Sequence, residues 1–276
     1  MNFEKVKNIF IYVFLSTLII LTYLIYYYDA DAKMVTDADI EVAIKMMADK
    51  NITVDKKGIK KNYTKMYYID LKNPIASKSE FAHLLTGSSV GFNNSYNGVN
   101  GKLYINGGEF TYIPKYKGKG FGKTTDSARA AGDVLKIFAT SYGLNTDCIK
   151  WNGSVLKGDY SEVSYIHYYN SYKIYDTDLK VLIKPDGIYK VSGRYFQING
   201  ILKAGQMKSP AEILILFARD NKDNHISKVE TGYYVSEGSD IYTNLTGIPI
   251  YRISAKDGIY YYDAIEGNLV NFVEYK

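Results

Sequence analysis

A lysine- and glycine-rich segment at residues 117–124, Lys-Gly-Lys-Gly-Phe-Gly-Lys-Thr, contains the residue types that bind phosphate in nucleotide-binding loops. Such a loop needs a glycine, four further residues and then Gly-Lys-Ser/Thr. Counting back from Gly122 places the first glycine at position 117, which is Lys117. Gly118, Gly120 and Gly122 alternate, so the segment does not fit the dinucleotide-binding pattern either. The sequence therefore predicts a basic surface loop here.

Histidine and cysteine, the other residue types that often carry chemistry, are few and scattered. His83, His167 and His225 have no second ligand-type residue at helical spacing, so the sequence predicts no metal site. His167 lies among tyrosines on an expected strand, where a packed or surface side chain is the preferred interpretation over a general base. Cys148 is the only cysteine and is expected to be a small buried side chain. We therefore expect that the protein is not an enzyme and binds no cofactor. A hydrolase would need a cluster of histidine and carboxylate side chains, which only the folded chain could bring together.

Tyrosines are concentrated in two stretches of the chain, at residues 165–175 and 260–262. One hypothesis is that some of them, such as Tyr165, Tyr169 and Tyr261, line a recognition groove on the surface. The alternative, which we favour, is that they fill the core and the half-buried faces of a sheet.

The composition indicates a folded, strand-rich chain. Of its 276 residues, 46% are hydrophobic, with 29 tyrosines, 11 phenylalanines and only 5 prolines. The net charge of +5 is small and spread along the chain, so we expect no nucleic-acid binding. With one cysteine, no intramolecular disulfide can form.

An uncharged, mostly apolar run at residues 9–28 predicts a transmembrane helix about 30 Å long. Lys5 and Lys7 precede it and Asp29 follows it, so residues 1–8 are expected in the cytoplasm and residues 33–276 outside the cell membrane. The alternative is a cleaved signal peptide, because Ala30-Asp-Ala resembles a cleavage site. The length of the run and its terminal tyrosines favour a retained anchor.

Beyond the anchor, the pattern predicts an α+β fold, a β-rich ectodomain made of two α+β units at residues 33–145 and 146–276. The expected helices span 37–50, 79–85, 126–142 and 210–220. Asn-Gly-Gly at 106–108 and Lys-Pro-Asp-Gly at 184–187 indicate hairpin turns between strands. A faint repeat is also present: Ile-Phe-Ala at 137–139 and Leu-Phe-Ala at 216–218 are each followed by an isoleucine and a glycine.

The N-terminal residues 2–15, Asn-Phe-Glu-Lys-Val-Lys-Asn-Ile-Phe-Ile-Tyr-Val-Phe-Leu, resemble the start of the YycI family, and residues 250–264 resemble the end of its layout. These are single-pass regulators of an essential cell-wall two-component system in Gram-positive bacteria. The resemblance implies two α+β units similar to part of the companion protein YycH. It implies no catalytic residues, and two partners: the sensor histidine kinase YycG and YycH, contacted largely through transmembrane helices.

Three hydroxyl residues of the anchor, Ser16, Thr17 and Thr22, are the expected partner-binding positions, since small and hydroxylated side chains promote helix association in lipid. The alternative is that they bond only to their own helix. The sequence thus predicts a membrane-anchored extracytoplasmic regulator that modulates a histidine kinase. A second hypothesis is an extracytoplasmic binding module for a peptide or a cell-wall polymer.

Overall fold

The computed structural model describes residues 3–29, 33–63, 65–116, 127–236 and 244–275. The fold is α+β, as predicted. Its α-helices are α1 (Phe3–Asp29), α2 (Asp37–Ala48), α3 (Lys78–Thr86), α4 (Ser127–Tyr142) and α5 (Pro210–Asp220). The short strands of the first part are β1 (Lys33–Met34), β2 (Thr53–Val54), β3 (Asn62–Tyr63), β4 (Tyr67–Lys72), β5 (Gly91–Phe92), β6 (Ser95–Asn97), β7 (Gly101–Asn106) and β8 (Glu109–Pro114).

Longer strands make up the second part of the chain. They are β9 (Ile149–Lys157), β10 (Tyr160–Tyr169), β11 (Tyr172–Lys184), β12 (Gly187–Gly193), β13 (Gln197–Ala204), β14 (His225–Ser236), β15 (Asn244–Ala255), β16 (Gly258–Asp263) and β17 (Leu269–Glu274). Apart from the β1–β3 pair, all described strands belong to one sheet, whose main path runs β13-β4-β15-β14-β11-β12-β8-β7-β6-β5. Within it, β11 and β14 pair in parallel and so join the two halves of the sheet.

Local signals in the sequence account for where the helices begin. Thr36 and Asp39 form a capping box at the start of α2, and Ser209 and Glu212 form another at the start of α5. Each box pairs backbone N–H groups that have no partner inside the helix. Pro210 occupies the first turn of α5, where a missing N–H costs nothing. The four helices predicted after the N-terminal helix are all present, with ends within two residues of the predicted ones; Asp126, the predicted first residue of α4, lies outside the described residues.

The hairpin turns follow equally local rules, and the structure contains one further turn that is not among the predicted ones. β11 and β12 fold over the predicted turn at residues 184–187, and β7 and β8 over residues 107–108. The tyrosine-rich stretch 165–175 does not form one continuous strand, because the chain turns at Asn170 and Ser171 between β10 and β11. Both residues have positive φ, 45° and 70°, the combination that a two-residue hairpin turn of type I′ requires.

A helix followed by four antiparallel strands occurs twice, which gives the faint sequence repeat a structural counterpart. α4 precedes the meander β9 to β12, and α5 precedes the meander β14 to β17. The phenylalanine of each repeated tripeptide, Phe138 in α4 and Phe217 in α5, is fully buried against tyrosines of its own meander.

Two hydrophobic cores lie under these helices. Core 1 packs α2 and α5 on the sheet, and apart from Ile174 its buried residues come from 35–71 and 196–264. Core 2 packs α3 and α4 on the sheet and uses residues 75–195. One contiguous segment thus builds core 2, and the segments on either side of it share core 1. This division differs from the predicted boundary between residues 145 and 146, because α4 and β9 contribute to the same core.

Candidate functional site

The N-terminal helix α1 presents its apolar side chains to the outside. Residues Val6–Leu24 form a span of 19 residues with mean hydropathy 1.7, and none of it is buried against the rest of the described chain. Its length and composition meet the requirement of a membrane anchor, and they also meet that of an N-terminal signal sequence. The rest of the described chain therefore leaves the apolar surface of α1 uncovered.

The three hydroxyl side chains predicted to bind a partner donate hydrogen bonds within α1. Ser16 and Thr17 donate to the carbonyl oxygen of Val13 at 2.9 and 2.8 Å, and Thr22 donates to that of Leu18 at 2.8 Å. Each hydroxyl oxygen still has acceptor capacity for a donor on another helix. At about 100° per residue, Thr22 lies about 140° around the helix from Thr17. Ser16 lies about 100° from Thr17 and about 120° from Thr22, so the three hydroxyls point in three different directions around α1.

The tyrosines suggested for surface recognition are mostly interior, so that hypothesis is wrong for Tyr165 and Tyr261. Tyr165 is fully buried in core 2, and its hydroxyl donates to the carbonyl oxygen of Ala131 in α4 at 2.8 Å. Burial raises the pKa of this phenol. Tyr169 is half-buried against core 1, edge-on to Tyr233. The favoured interpretation, that tyrosines fill the core and the sheet, describes these positions.

Tyr261 belongs to an aromatic and ionic cluster on the sheet face opposite core 1. Its ring lies 4.9 Å from that of Tyr234 and 5.9 Å from that of Tyr175, measured between centroids. The guanidinium of Arg252 lies over the Tyr175 ring at 5.4 Å and donates to Glu230 at 3.1 Å. Cation–π attraction and a hydrogen-bonded ion pair thus hold Arg252 against the sheet.

The charges of this cluster are largely withdrawn from water. The side chains of Arg252 and Glu230 are only 20% and 21% exposed. Burial opposes ionisation of Glu230, yet the hydrogen bond from Lys228 and the charges of Lys228 and Arg252 hold its pKa below the usual value. The cluster therefore stabilises the junction of β14, β15 and β16 and offers little free charge to a ligand.

His167 is a buried, neutral histidine between the two cores. Its Nδ1 lies 3.2 Å from the carbonyl oxygen of Thr177, and its Nε2 accepts a hydrogen bond from the backbone N–H of Phe196 at 3.2 Å. This arrangement requires the proton on Nδ1. Burial lowers the pKa of His167 to about 4. Both ring nitrogens are occupied, so His167 packs as expected and is not available as a general base.

His225 is placed between a hydroxyl and a carboxylate by the parallel pairing of β2 with β14. Its Nδ1 lies 2.8 Å from the Thr53 hydroxyl, and its Nε2 lies 3.6 Å from the Asp55 carboxylate. These distances resemble a nucleophile, base and orienting acid. However, His225 and Asp55 are 45% and 60% exposed, whereas acyl-transfer catalysis relies on a water-excluded site. We interpret these contacts as polar interactions that hold β2 and the residues after it against β14.

Cys148 is half-buried, and burial raises the pKa of its thiol. A raised pKa disfavours the reactive thiolate. Among the described residues, no group of three or more histidine, cysteine or acidic side chains is arranged to hold a metal ion. The basic segment 117–124 lies outside the described residues.

No protein-family model and no curated protein matches this sequence. Among solved structures, the chain is similar to an uncharacterized protein from Eubacterium rectale, with 10% sequence identity and a TM-score of 0.48 over 84% of this chain and 98% of the other. It is also similar to the C-terminal domain of YpeB from Bacillus megaterium, with 11% identity and a TM-score of 0.33 over 88% of this chain and 99% of the other. These likenesses are too distant to assign a function, and the resemblance to the YycI family stays a prediction.

Proposed function

We propose that this chain is a membrane-anchored extracytoplasmic regulator that modulates a sensor histidine kinase together with a YycH-like protein. The observation that carries the proposal is the wholly exposed apolar surface of α1. In a bilayer, lipid or the helices of other membrane proteins would cover this surface. The lysines before the helix and Asp29 after it support an orientation with the N-terminus in the cytoplasm and the folded domain outside.

Regulation would then operate through helix contacts that differ between two signalling states of the kinase. A partner changes an equilibrium only by as much as its affinities for the two states differ. Ser16, Thr17 and Thr22 keep free acceptor capacity and lie about 100° to 140° apart around α1, which gives separate contact surfaces for a kinase helix and a YycH-like helix.

The test replaces residues 9–28 with an unrelated membrane span and measures co-purification with the kinase and output of a kinase-dependent reporter in cells. We expect both to change, while the amount of membrane-bound protein stays the same. Unchanged co-purification and output would exclude control through the helix.

Single substitutions then distinguish the contacts made by Thr17 and Thr22, which lie about 140° apart around α1. The matched variants are Thr17→Leu and Thr22→Leu, which remove a hydroxyl from different sides. We expect one variant to reduce kinase association and the other to reduce association with the YycH-like protein. Equal, negligible effects of both would mean that the hydroxyls bond only within their own helix.

A second candidate function is an extracytoplasmic binding module for a peptide or a cell-wall polymer. It is favoured by a polar groove on the solvent-facing side of the sheet, lined by Tyr104, Asp178 and Lys180 among others. A module of this kind would bind its ligand without a partner kinase, and the two functions are compatible in one chain.

A further inference from the structure

A polar groove of about 590 Å³ crosses the solvent-facing side of four strands, β7, β8, β12 and β11. Its central row consists of cross-strand neighbours: Tyr104 lies opposite Thr111, Thr111 opposite Ser192, and Ser192 opposite Lys180. The alternate residues of these strands point to the other side, into core 2. The row therefore follows directly from strand register, and its volume lies within the range of about 300–1,000 Å³ typical of ligand clefts.

The floor of the groove offers no free strand edge. In the sheet, β7 pairs with β6 and β8, β8 with β7 and β12, and β12 with β8 and β11. The fourth strand, β11, pairs with both β12 and β10. An extended peptide recognises a sheet chiefly through the hydrogen bonds of an unpaired edge. A ligand in this groove must instead be recognised by side chains.

Gly193 lets β12 lie close against β11 in the floor of the groove. Gly193 has a φ of +132°, and a Cβ at this position would overlap the carbonyl oxygen of Asp178. That same oxygen accepts a hydrogen bond from the backbone N–H of Arg194 at 3.2 Å. At the rim, the Arg194 guanidinium lies 3.6 Å from the Glu109 carboxylate.

The side chains in the groove have hydrogen-bonding capacity that the protein does not use. Within the described part of the chain, Tyr104, Thr111, Asp178, Lys180 and Ser192 make no side-chain hydrogen bond or ion pair, although they are close neighbours. Their chemistry is complementary: the carboxylate accepts, the ammonium donates, and each hydroxyl does both. The Tyr104 side chain is 43% exposed and adds an aromatic surface at one end.

We propose that this groove binds a glycan, an oligosaccharide whose hydroxyl groups replace water on these five side chains. A sugar hydroxyl both donates and accepts, so it can bridge Asp178 and Lys180, while a ring face packs on Tyr104. A peptide is the poorer fit because the groove has neither a free strand edge nor an apolar anchor pocket. The inference rests on the second candidate function above and specifies its ligand class and its site.

The test uses the full chain in detergent micelles and isothermal titration with two probes, chitotetraose and maltotetraose. We expect saturable binding of at least one tetrasaccharide. Asp178→Asn and Tyr104→Ala should each weaken that binding about tenfold, since each loses an interaction worth roughly 1.4 kcal/mol. Asp147→Asn and Tyr116→Ala, matched changes at exposed positions outside the groove, should leave the affinity within about twofold.

Absence of saturable binding to both probes would overturn the proposal, and so would binding that the groove variants leave unchanged. Binding of a lysine-rich peptide in the groove without binding of either sugar would also overturn it, in favour of peptide recognition. Circular dichroism of each variant checks that the fold is intact. A negative result in the sugar titration would not contradict the proposed kinase association, because that association is tested separately with variants of the anchor.

Discussion

The imidazole of His167 in β10 accepts a hydrogen bond from the backbone N–H of Phe196, 29 residues along the chain, at 3.2 Å. Phe196 belongs to core 1, whereas Tyr195 beside it belongs to core 2. The histidine therefore fixes the chain at the point where it passes from one core to the other. Its other nitrogen faces the carbonyl oxygen of Thr177, so one neutral side chain joins three separate segments.

This contact predicts a pH-dependent part of the stability. The pKa of His167 is lowered from 6.5 to about 4 by burial, so below about pH 6.5 the unfolded chain takes up a proton that the folded chain does not. Above pH 6.5 the neutral histidine costs the folded state nothing in this respect. As the pH falls from 6.5 toward 4, the free energy of unfolding decreases by about 3 kcal/mol in total because of this one group. We expect His167→Gln to reduce the free energy of unfolding at pH 7 and to remove this part of the pH dependence.

The measurement is urea unfolding from pH 7 to pH 4, followed by the fluorescence of Trp151, the only tryptophan. At each pH, the free energy of unfolding of the variant is subtracted from that of the parent. This difference cancels the contribution of the carboxylates that both proteins share. His83→Gln, an exposed histidine, is the matched control and should change the free energy of unfolding by less than about 0.5 kcal/mol. A difference between parent and His167→Gln that stays constant over this range would contradict the prediction.

Tyr165 predicts a specific cost for losing one hydroxyl in core 2. Tyr165→Phe removes the bond to the Ala131 carbonyl oxygen and leaves the packing of the ring in place. We expect the free energy of unfolding to fall by about 1–1.5 kcal/mol. Tyr116→Phe, at an exposed tyrosine, should be neutral. Equal effects of the two changes in urea unfolding would show that the buried hydroxyl contributes nothing.

Two glycines predict changes of opposite sign. Gly193→Ala introduces a Cβ that overlaps the Asp178 carbonyl oxygen at a φ unfavourable for alanine, so we expect a loss of more than about 2 kcal/mol. Gly132 lies exposed in α4 with open space around it, so Gly132→Ala should stabilise the protein by about 0.5–1 kcal/mol. Thermal unfolding of the two variants measures both, and a stable Gly193→Ala protein would refute the close approach of β11 and β12.

The Arg252 and Glu230 pair predicts a measurable coupling energy. A double-mutant cycle with Arg252→Met and Glu230→Gln should give about 1–3 kcal/mol, because both side chains are mostly buried and directly hydrogen-bonded. The exposed pair Lys56 and Glu41 has the same separation of 3.1 Å but is 60% and 57% exposed. Its cycle should give less than about 0.5 kcal/mol. Equal couplings in the two cycles would mean that burial does not strengthen the Arg252 pair.

Features encoded within a few residues were predictable from the sequence. The apolar run of α1, the starts of α2 and α5, each marked by a capping box, and the turn at residues 184–187 appear where they were expected. A cap or a turn satisfies backbone groups and dihedral preferences within one turn of chain, so its signal is local. The repeat of a helix and four strands was only faintly visible, because few identical residues mark it.

Features that depend on residues far apart in the chain were decided by the tertiary structure alone. Tyr165 is a core residue because α4 packs over β10, and the central row of the groove exists because the sheet places β7 and β8 beside β12 and β11. Alternation along a strand shows that its side chains take two faces, but it does not show which strand lies beside it. The sequence by itself thus determined an apolar N-terminal helix before an α+β domain. The order of strands in the sheet decided which tyrosines are buried and which polar side chains meet in one groove.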